Sequence, residues 1–239
     1  MNLSSKSHLP PSYKNRILAA LPKDEIERLA VHLSPIKLPL REQLLDGVAA
    51  DYAYFLEEGL ASVVLGLEDG STVEVGVIGL DGVVGLPVLL GAEKMPGQTF
   101  IQVEGSGFRI NARHLKEEFE RPGELRNQVQ KYLLVQLVQS AQNAACNRMH
   151  TINERLARWL LTCHDRVRAD HMPLTHEFLG QMLGAPRTTV TLAAGTLQEA
   201  GLIDYSRGHV SIRNREGLEQ VACECYRVVR DEFRRLHLL

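Results

Sequence analysis

The stretch from Leu174 to Gly195, LTHEFLGQMLGAPRTTVTLAAG, limits what this chain can fold into more tightly than any other segment. Thr175 has the chemistry of a helix N-cap, Glu177 falls in the first turn where the helix dipole favours an anion, and Phe178, Leu179, Met182 and Leu183 recur with helical period. Gly184 follows as a residue able to take a left-handed backbone, and Pro186 stands where a second helix begins and a missing N–H costs nothing. In that second helix Val190, Ala193 and Leu197 face inward, while Arg187, Thr188, Thr191 and Gln198 are left outside. Small Gly180 allows the two helices close contact. A paired-helix unit with a short glycine turn is the motif that lays its second helix in the major groove of DNA.

Two short strand-like runs come next, Gly201 to Tyr205 and His209 to Arg213, around the turn signal Ser206-Arg207-Gly208. They read as a wing carrying Arg207, His209, Arg213 and Arg215, polar groups suited to phosphate contacts that give affinity without sequence information. On these residues, Leu174 to Ile212 resembles the C-terminal winged helix of the Crp/Fnr family of bacterial transcription regulators. That resemblance implies an α+β chain in a fixed order: an antiparallel β-roll (jelly-roll) sensor domain, a long dimerisation helix, and a winged helix-turn-helix domain.

The rest of the sequence tests this order. At 239 residues, with 44% hydrophobic and 23% charged content, the chain is long enough for two separately cored domains. No apolar run approaches the length of a membrane span, and the start, MNLSSKSHLPPSYKNR, lacks the apolar centre of a signal peptide, so a cytoplasmic location with no membrane partner is expected. Cys146, Cys163, Cys223 and Cys225 are too few for a disulfide scaffold and read as buried thiols. The net charge of −2 argues against a nonspecific polyanion binder. From Thr151 onward there are 12 Arg, no Lys and 11 acids, against 15 basic groups and 18 acids before it. An Arg-only basic set suits bidentate contact with phosphate or guanine, and is equally common on helix surfaces.

Lys14 to Leu33 reads as one or two short helices interrupted at Pro22, with Ile17, Leu18, Leu21, Ile26 and Leu29 as the apolar set. From Ile36 to Ile110 short apolar runs (Tyr52 to Leu56, Ala61 to Leu65, Thr72 to Gly76, Phe100 to Val103) alternate with turn signals at Glu57-Glu58-Gly59 and Glu68-Asp69-Gly70, the texture of a sandwich or roll. Glu124 to Met149 contains neither Pro nor Gly and predicts one helix of roughly 39 Å. Leu134, Leu137, Val138, Ala141, Ala144 and Ala145 form a seam on it that shrinks toward the C-terminal end. Such a seam serves a second copy of the helix or the chain's own roll, and the resemblance favours a homodimer. Thr151-Ile-Asn-Glu154 is a capping box that starts a new helix, Ile152 to Arg166. The expected division is therefore 1–123 for the sensor with its N-terminal helices, 124–150 for the dimerisation helix and 151–239 for the DNA-binding domain.

Family positions carried onto this chain give Thr175, Arg187, Thr188, Thr189, Thr191, Leu192, Arg207 and His209 as DNA-binding residues, with Arg187 reading guanine O6 and N7. The implied partner is double-stranded DNA, bound as an inverted repeat by a homodimer, with RNA polymerase as a further partner. The sensor departs from the cyclic-nucleotide pattern. Where those members carry a Glu for the ribose, this chain has Val83 or Leu86, and between Asp81 and Phe100 Lys94 is the one cation. Ordinary cyclic-nucleotide binding is thus disfavoured, since a buried phosphate needs a cation or donors.

No cofactor or metal is expected. An N-terminal iron–sulfur cluster has no cysteine before Cys146, and His8, His32 and His114 read as surface or packing rather than haem ligands. Cys223 and Cys225, two apart in an apparent helix, would point roughly 200° apart and could not share one ion. The candidate effector pocket is Val84, Gly85, Leu86 and Pro87 with Ser140 and Ala141, either taking an uncharged small molecule or filled as plain core. Enzyme motifs such as GxSxG, Walker-type or HExxH are absent. The competing reading is a small-molecule-sensing module with little affinity for DNA.

Overall fold

The computed structural model describes residues 12–47, 51–92, 94, 96–167 and 171–238. His8 lies outside them. Helices α1 (Arg16–Ala19) and α2 (Lys23–Ala30) are separated where the sequence predicts, Pro22 standing as the cap of α2. Asn15, fully buried, holds this entry in place. Its Oδ1 accepts from the backbone N of Ile17 and Leu18, and its Nδ2 donates to Leu56 O (3.0 Å) and Gly82 O (2.9 Å), so every polar atom of the amide is used.

Strands β1 (Ser34–Leu38), β2 (Gln43–Asp46), β3 (Tyr52–Gly66), β4 (Thr72–Ile78) and β5 (Gln98–Asn111) form one antiparallel sheet. Its order is β1-β5-β3-β4, with β2 also on β5. One expectation fails here: Glu57-Glu58-Gly59 is no turn, because Tyr52 to Leu65 runs as a single bent strand. The register of β3 on β5 slips between Leu56 and Ala61, and Gly59 takes φ +90° within the bulge. A turn and a bulge both call for glycine at positive φ, so the local signal could not separate them. Glu68-Asp69-Gly70 does turn the chain from β3 into β4; Asp69 accepts from Ser71 N (2.9 Å) and Ser71 Oγ (2.6 Å). Short α3 (Leu86–Leu89) starts after Gly85, itself at φ +104°, and α4 (Ala112–Glu120) follows β5.

Helix α5 (Glu124–Met149) has the length the sequence predicts. Its first residue follows Gly123, which offers no capping side chain, so a remote one serves: Glu25 of α2 accepts from Glu124 N and Leu125 N, both at 2.8 Å. The helix is apolar on two sides. Leu125, Val129, Tyr132, Val135 and Cys146 are buried by this chain, whereas Leu134 (43% exposed), Leu137 (68% exposed), Ala141, Ala144 and Ala145 face outward. The seam read from the sequence is thus distinct from the face that packs on the roll.

The remaining elements are α6 (Ile152–Val167), β6 (His171–Pro173), α7 (His176–Leu183), α8 (Arg187–Glu199), β7 (Ile203–Ser206), β8 (His209–Ile212), α9 (Arg215–Val221) and α10 (Glu224–Arg235). A second antiparallel sheet runs β6-β8-β7, whose first strand had no sequence signal strong enough to be read. α10 turns back onto α5 and α6, burying Val229, Phe233 and the following Leu238 in the core of the roll. Conversely, Leu60, Val64, Val77 and Val103 of the roll share the core of α6 to α9. No described helix is long and apolar enough to cross a membrane.

A Cβ at Gly59 would stand 2.6 Å from Val103 O, and the residue already sits at positive φ. Gly59→Ala should therefore lower the unfolding free energy by roughly 1–3 kcal/mol. Urea denaturation measures this, and a change below about 0.5 kcal/mol would contradict the bulge geometry.

Candidate nucleic-acid interface

The paired helices are built as their sequence suggests. Thr175 Oγ1 accepts from Phe178 N (3.1 Å), Gly184 ends α7 at φ +56°, and Pro186 caps α8. Gly180 is needed for the turn: a Cβ there would lie 2.9 Å from Ala185 O. Val190, Ala193, Ala194 and Leu197 are buried. On the opposite side of α8, Arg187, Thr188, Thr191 and Leu192 are exposed, Leu192 by 74%; Thr189 is half-buried. No carboxylate lies within ion-pair distance of Arg187 or Arg207 among the described residues.

The wing meets the first helix of the pair. Leu174 N donates to Gly208 O (2.7 Å), which puts exposed Thr175 beside Arg207 and His209 at the tip. Arg207 (φ +49°) and Gly208 (φ +78°) make a tight turn with two left-handed residues, the geometry that suits a twisted hairpin. His176 binds the parts together. Its ring stacks on Tyr205 at 4.1 Å and lies 3.1 Å from Thr191 Oγ1, while Tyr205 Oη donates to Leu174 O (2.8 Å). Burial and the neighbouring Arg187 both push the His176 pKa down, keeping the ring neutral in this packing role. Neither His176 nor Tyr205 stood out in the sequence.

Two arginines read from the sequence as wing residues already have carboxylate partners. Arg213 pairs with Asp204 (2.8 Å). Arg215, expected among the phosphate contacts, turns inward: it reaches Asp165 (2.5 Å), Tyr226 Oη (2.7 Å) and Glu219 (3.0 Å), and so joins α6, α9 and α10. Its position at the head of α9, not on the hairpin, directs it there.

Residues 154–221 match the model of the Crp-like helix-turn-helix domain. Solved structures extend the likeness over the fold. FixK2 of Bradyrhizobium japonicum superposes with a TM-score of 0.68 at 18% identity, over 80% of this chain and 98% of that one. A Crp/Fnr-family transcriptional regulator of Thermus thermophilus gives 0.66 at 22% identity, over 79% and 98%. The c-di-GMP-responsive regulator CLP of Xanthomonas campestris gives 0.66 at 17% identity, over 80% and 99%. No curated protein sequence matches the chain. The chain thus shares the fold of these regulators, and its residues 154–221 match the Crp-like helix-turn-helix domain.

The Crp-like domain rests on the roll through α6 and α7. Arg166 forms a buried ion pair with Asp81 (2.9 Å), and its guanidinium covers the Phe233 ring at 4.7 Å. Phe178 of α7 meets Phe100 edge-on at 6.2 Å. Trp159 Nε1 donates to Glu74 Oε1 (2.6 Å), and the other carboxylate oxygen has no partner among the described residues. Burial raises the Glu74 pKa to about 7, outweighing the hydrogen bonds from Trp159 and Ser62 and the charges of Arg158 and Arg166. Nothing in the sequence singled out Glu74.

Beyond α3, a cavity of about 360 Å³ opens between the roll and α5. Val84, Gly85, Leu86, Pro87 and Ser140 line it as expected, but Ala141 does not, since it sits on the outer face of the helix. The cavity leaves space for a small molecule, the first of the two readings of this stretch. Gln136, Ser140 and Thr99 are the uncharged polar side chains of the wall, and Lys94 stands at its exposed edge. A second expectation about the α5 end also fails. Cys223 precedes α10 with extended backbone (φ −63°, ψ 159°), so the helical angle between it and Cys225 does not apply, and their thiols converge with Cys146 and His150.

The raised Glu74 pKa fixes a pH dependence. A carboxyl whose folded pKa exceeds its ordinary value of 4.5 binds its proton more tightly when docked, so the seam is most stable below about 4.5 and weakens as pH rises toward about 7. The loss approaches roughly 3 kcal/mol at the upper end. Emission of Trp159, the sole tryptophan, should shift to the red across that window, and Glu74→Gln should abolish the shift. A shift unchanged in Glu74→Gln would assign it to another group.

Proposed function

We propose that the chain is a sequence-specific DNA-binding transcription regulator acting as a homodimer, and not an enzyme. The observation that carries this reading is the outward face of α8, where Arg187, Thr188, Thr191 and Leu192 stand exposed beside a wing tip holding Arg207 and His209. Arg187 donates twice to guanine; Thr188 and Leu192 offer methyl groups to thymine. Thr191 Oγ1 already lies 2.9 Å from Arg187 O and near His176, so its methyl group is the part left for a base. Half-buried Thr189 serves the backbone of DNA at most, and Thr175, Arg207 and His209 together take phosphates, with Thr175 at the dipole-positive start of α7.

The outer seam of α5 gives the second copy its place. Leu134, Leu137 and three alanines along one face of a 26-residue helix fit a parallel partner that approaches closely where the side chains are small. The functional division is then 1–123, 124–150 and 151–239. Two readers on a two-fold axis address half-sites one helical turn apart, inside the cell where DNA is. The cavity favours an uncharged, mainly apolar effector, since among the described residues Lys94 is the one cation on its wall and lies exposed.

Selection of bound fragments from random DNA should enrich an inverted repeat; absence of one would leave the sensing-module reading in its place. Against the enriched site, Arg187→Ala should cost about 1–3 kcal/mol of discrimination at one base pair. Arg207→Ala should instead weaken all sequences alike and lower the salt slope by about one. Equal behaviour of the two would reject these roles. Leu137→Glu should yield a monomer by sedimentation and lose the inverted-repeat preference; a dimer that persists would move the interface elsewhere.

A further inference from the structure

The C-terminal end of α5 and the start of α10 meet at four side chains, three cysteines and a histidine, all of residue types that can ligate metals. Cys146 lies on the last turns of α5, and His150, four residues on and so on the same side of the helix, is where helical backbone gives way to extended. Cys223 and Cys225 arrive from the other direction, the first just before α10 and the second in its first turn. One donor atom from each lies within 4.8 Å of every other. Cys146 Sγ and Cys223 Sγ are 3.5 Å apart, as are Cys225 Sγ and His150 Nδ1. Four ligands around one tetrahedral ion, at about 2.3 Å for sulfur and 2.0–2.1 Å for nitrogen, stand roughly 3.5–3.8 Å from one another. The donors are thus close to a single-ion arrangement before any ion enters.

We propose that Cys146, Cys223, Cys225 and His150 Nδ1 bind one tetrahedral Zn²⁺. The three thiols lose their protons to solvent as the metal–sulfur bonds form, and no redox step is involved. The surroundings support the ion in three ways. His150 Nε2 sits 3.1 Å from Glu224 Oε2, so a carboxylate holds the remote nitrogen and turns Nδ1 toward the sulfurs, as metal-bound imidazoles require. Gln142 Nε2 donates to Cys225 Sγ at 3.1 Å, a hydrogen bond that favours thiolate over thiol. A Zn²⁺ with three thiolates carries one negative charge, and Arg155 and Arg158 of α6 lie close enough to Cys146 to offset it. The cysteines are buried, at 0%, 5% and 0% exposure for Cys146, Cys223 and Cys225, which shields the metal–sulfur bonds from water. Donors this compact enclose a single ion, not a multi-iron cluster, and the Cys146–Cys223 separation of 3.5 Å is far from the roughly 2.05 Å of a disulfide.

The ion would join α10 to the point where α5 passes into the Crp-like domain, a joint whose metal chemistry can be read without any DNA. The test therefore uses the full chain, purified without air under reducing conditions, and titrates it with Co²⁺ alone. One equivalent should produce thiolate-to-cobalt charge-transfer bands and the intense visible bands of tetrahedral Co²⁺, and one equivalent of Zn²⁺ should erase them. Cys225→Ser should reduce the charge-transfer intensity by about a third and weaken binding at least about tenfold, while Cys163→Ser, outside the cluster, should change nothing. Glu224→Gln, which leaves all four donors in place, should weaken binding by about 10–100-fold with the spectrum retained. A protein that gives weak octahedral bands, binds substoichiometrically, carries iron and sulfide, or holds a Cys146–Cys223 disulfide when isolated without air would overturn the proposal. Should a variant fail to fold, the titration of the unaltered chain decides alone.

Discussion

The rest of the molecule depends on how the chain leaves α5. At His150 the backbone turns extended (φ −105°, ψ 150°), and one residue later a reciprocal cap starts α6: Thr151 N donates to Glu154 Oε2 (2.7 Å), and Glu154 N faces Thr151 Oγ1 (3.5 Å). A helix that continued straight would carry the Crp-like domain away from the roll. The break sends α6 back across it instead, bringing Arg158, Trp159 and Arg166 onto Asn143, Glu74 and Asp81. A short local motif therefore decides which long-range contacts exist.

Those contacts are unusually polar for a domain seam. Arg166 and Asp81 are both buried, and removing either partner alone would leave the other charge without water, a loss of roughly 3–5 kcal/mol. Replacing both by apolar groups would cost far less, so the pair selects one docking geometry more than it strengthens the dock. Phe233, from the far end of the chain, supplies the ring over which the Arg166 guanidinium lies, and Gly79 must be glycine because a Cβ there would come within 2.9 Å of Arg166 Cβ. Three distant segments thus agree on one position for a single side chain.

Features set by local chemistry were legible in the sequence. The N-cap at Thr175, the left-handed Gly184, Pro186, the capping box and the uninterrupted run from Glu124 to Met149 all announce themselves within a few residues, and each is found where the pattern placed it. Features set by remote partners were not. Gly59 reads as a turn until Val103 of β5 is placed against it, and the inward turn of Arg215 needs Asp165 and Tyr226 to be seen. Cys223 and Cys225 were misread for a related reason: the angle between two residues follows the helical rule only if both are in the helix, and Cys223 stands one residue before it. Along α5, one seam could equally serve the roll or a partner by its sequence; in the structure other residues of the helix pack on the roll and the seam is exposed.

Strand β4 is one of the strands that touch both the cavity and the Crp-like domain. It presents Val75, Gly76 and Ile78 to the cavity, and Glu74 and Val77 to the Crp-like domain. The opposite cavity wall belongs to α5, through Leu133, Gln136, Leu137 and Ser140, and Leu137 also lies on the outward seam. Because interiors pack densely, a molecule that fills the cavity cannot displace one of these walls without loading the other. Its effect would reach the reader by two routes, through β4 to Trp159 and along α5 to the break at His150. Coupling of this kind needs differential contacts in two arrangements of the same walls, not a long chain of intermediates. The fold supplies such walls, since β4 and α5 each touch both the cavity and elements that carry the Crp-like domain.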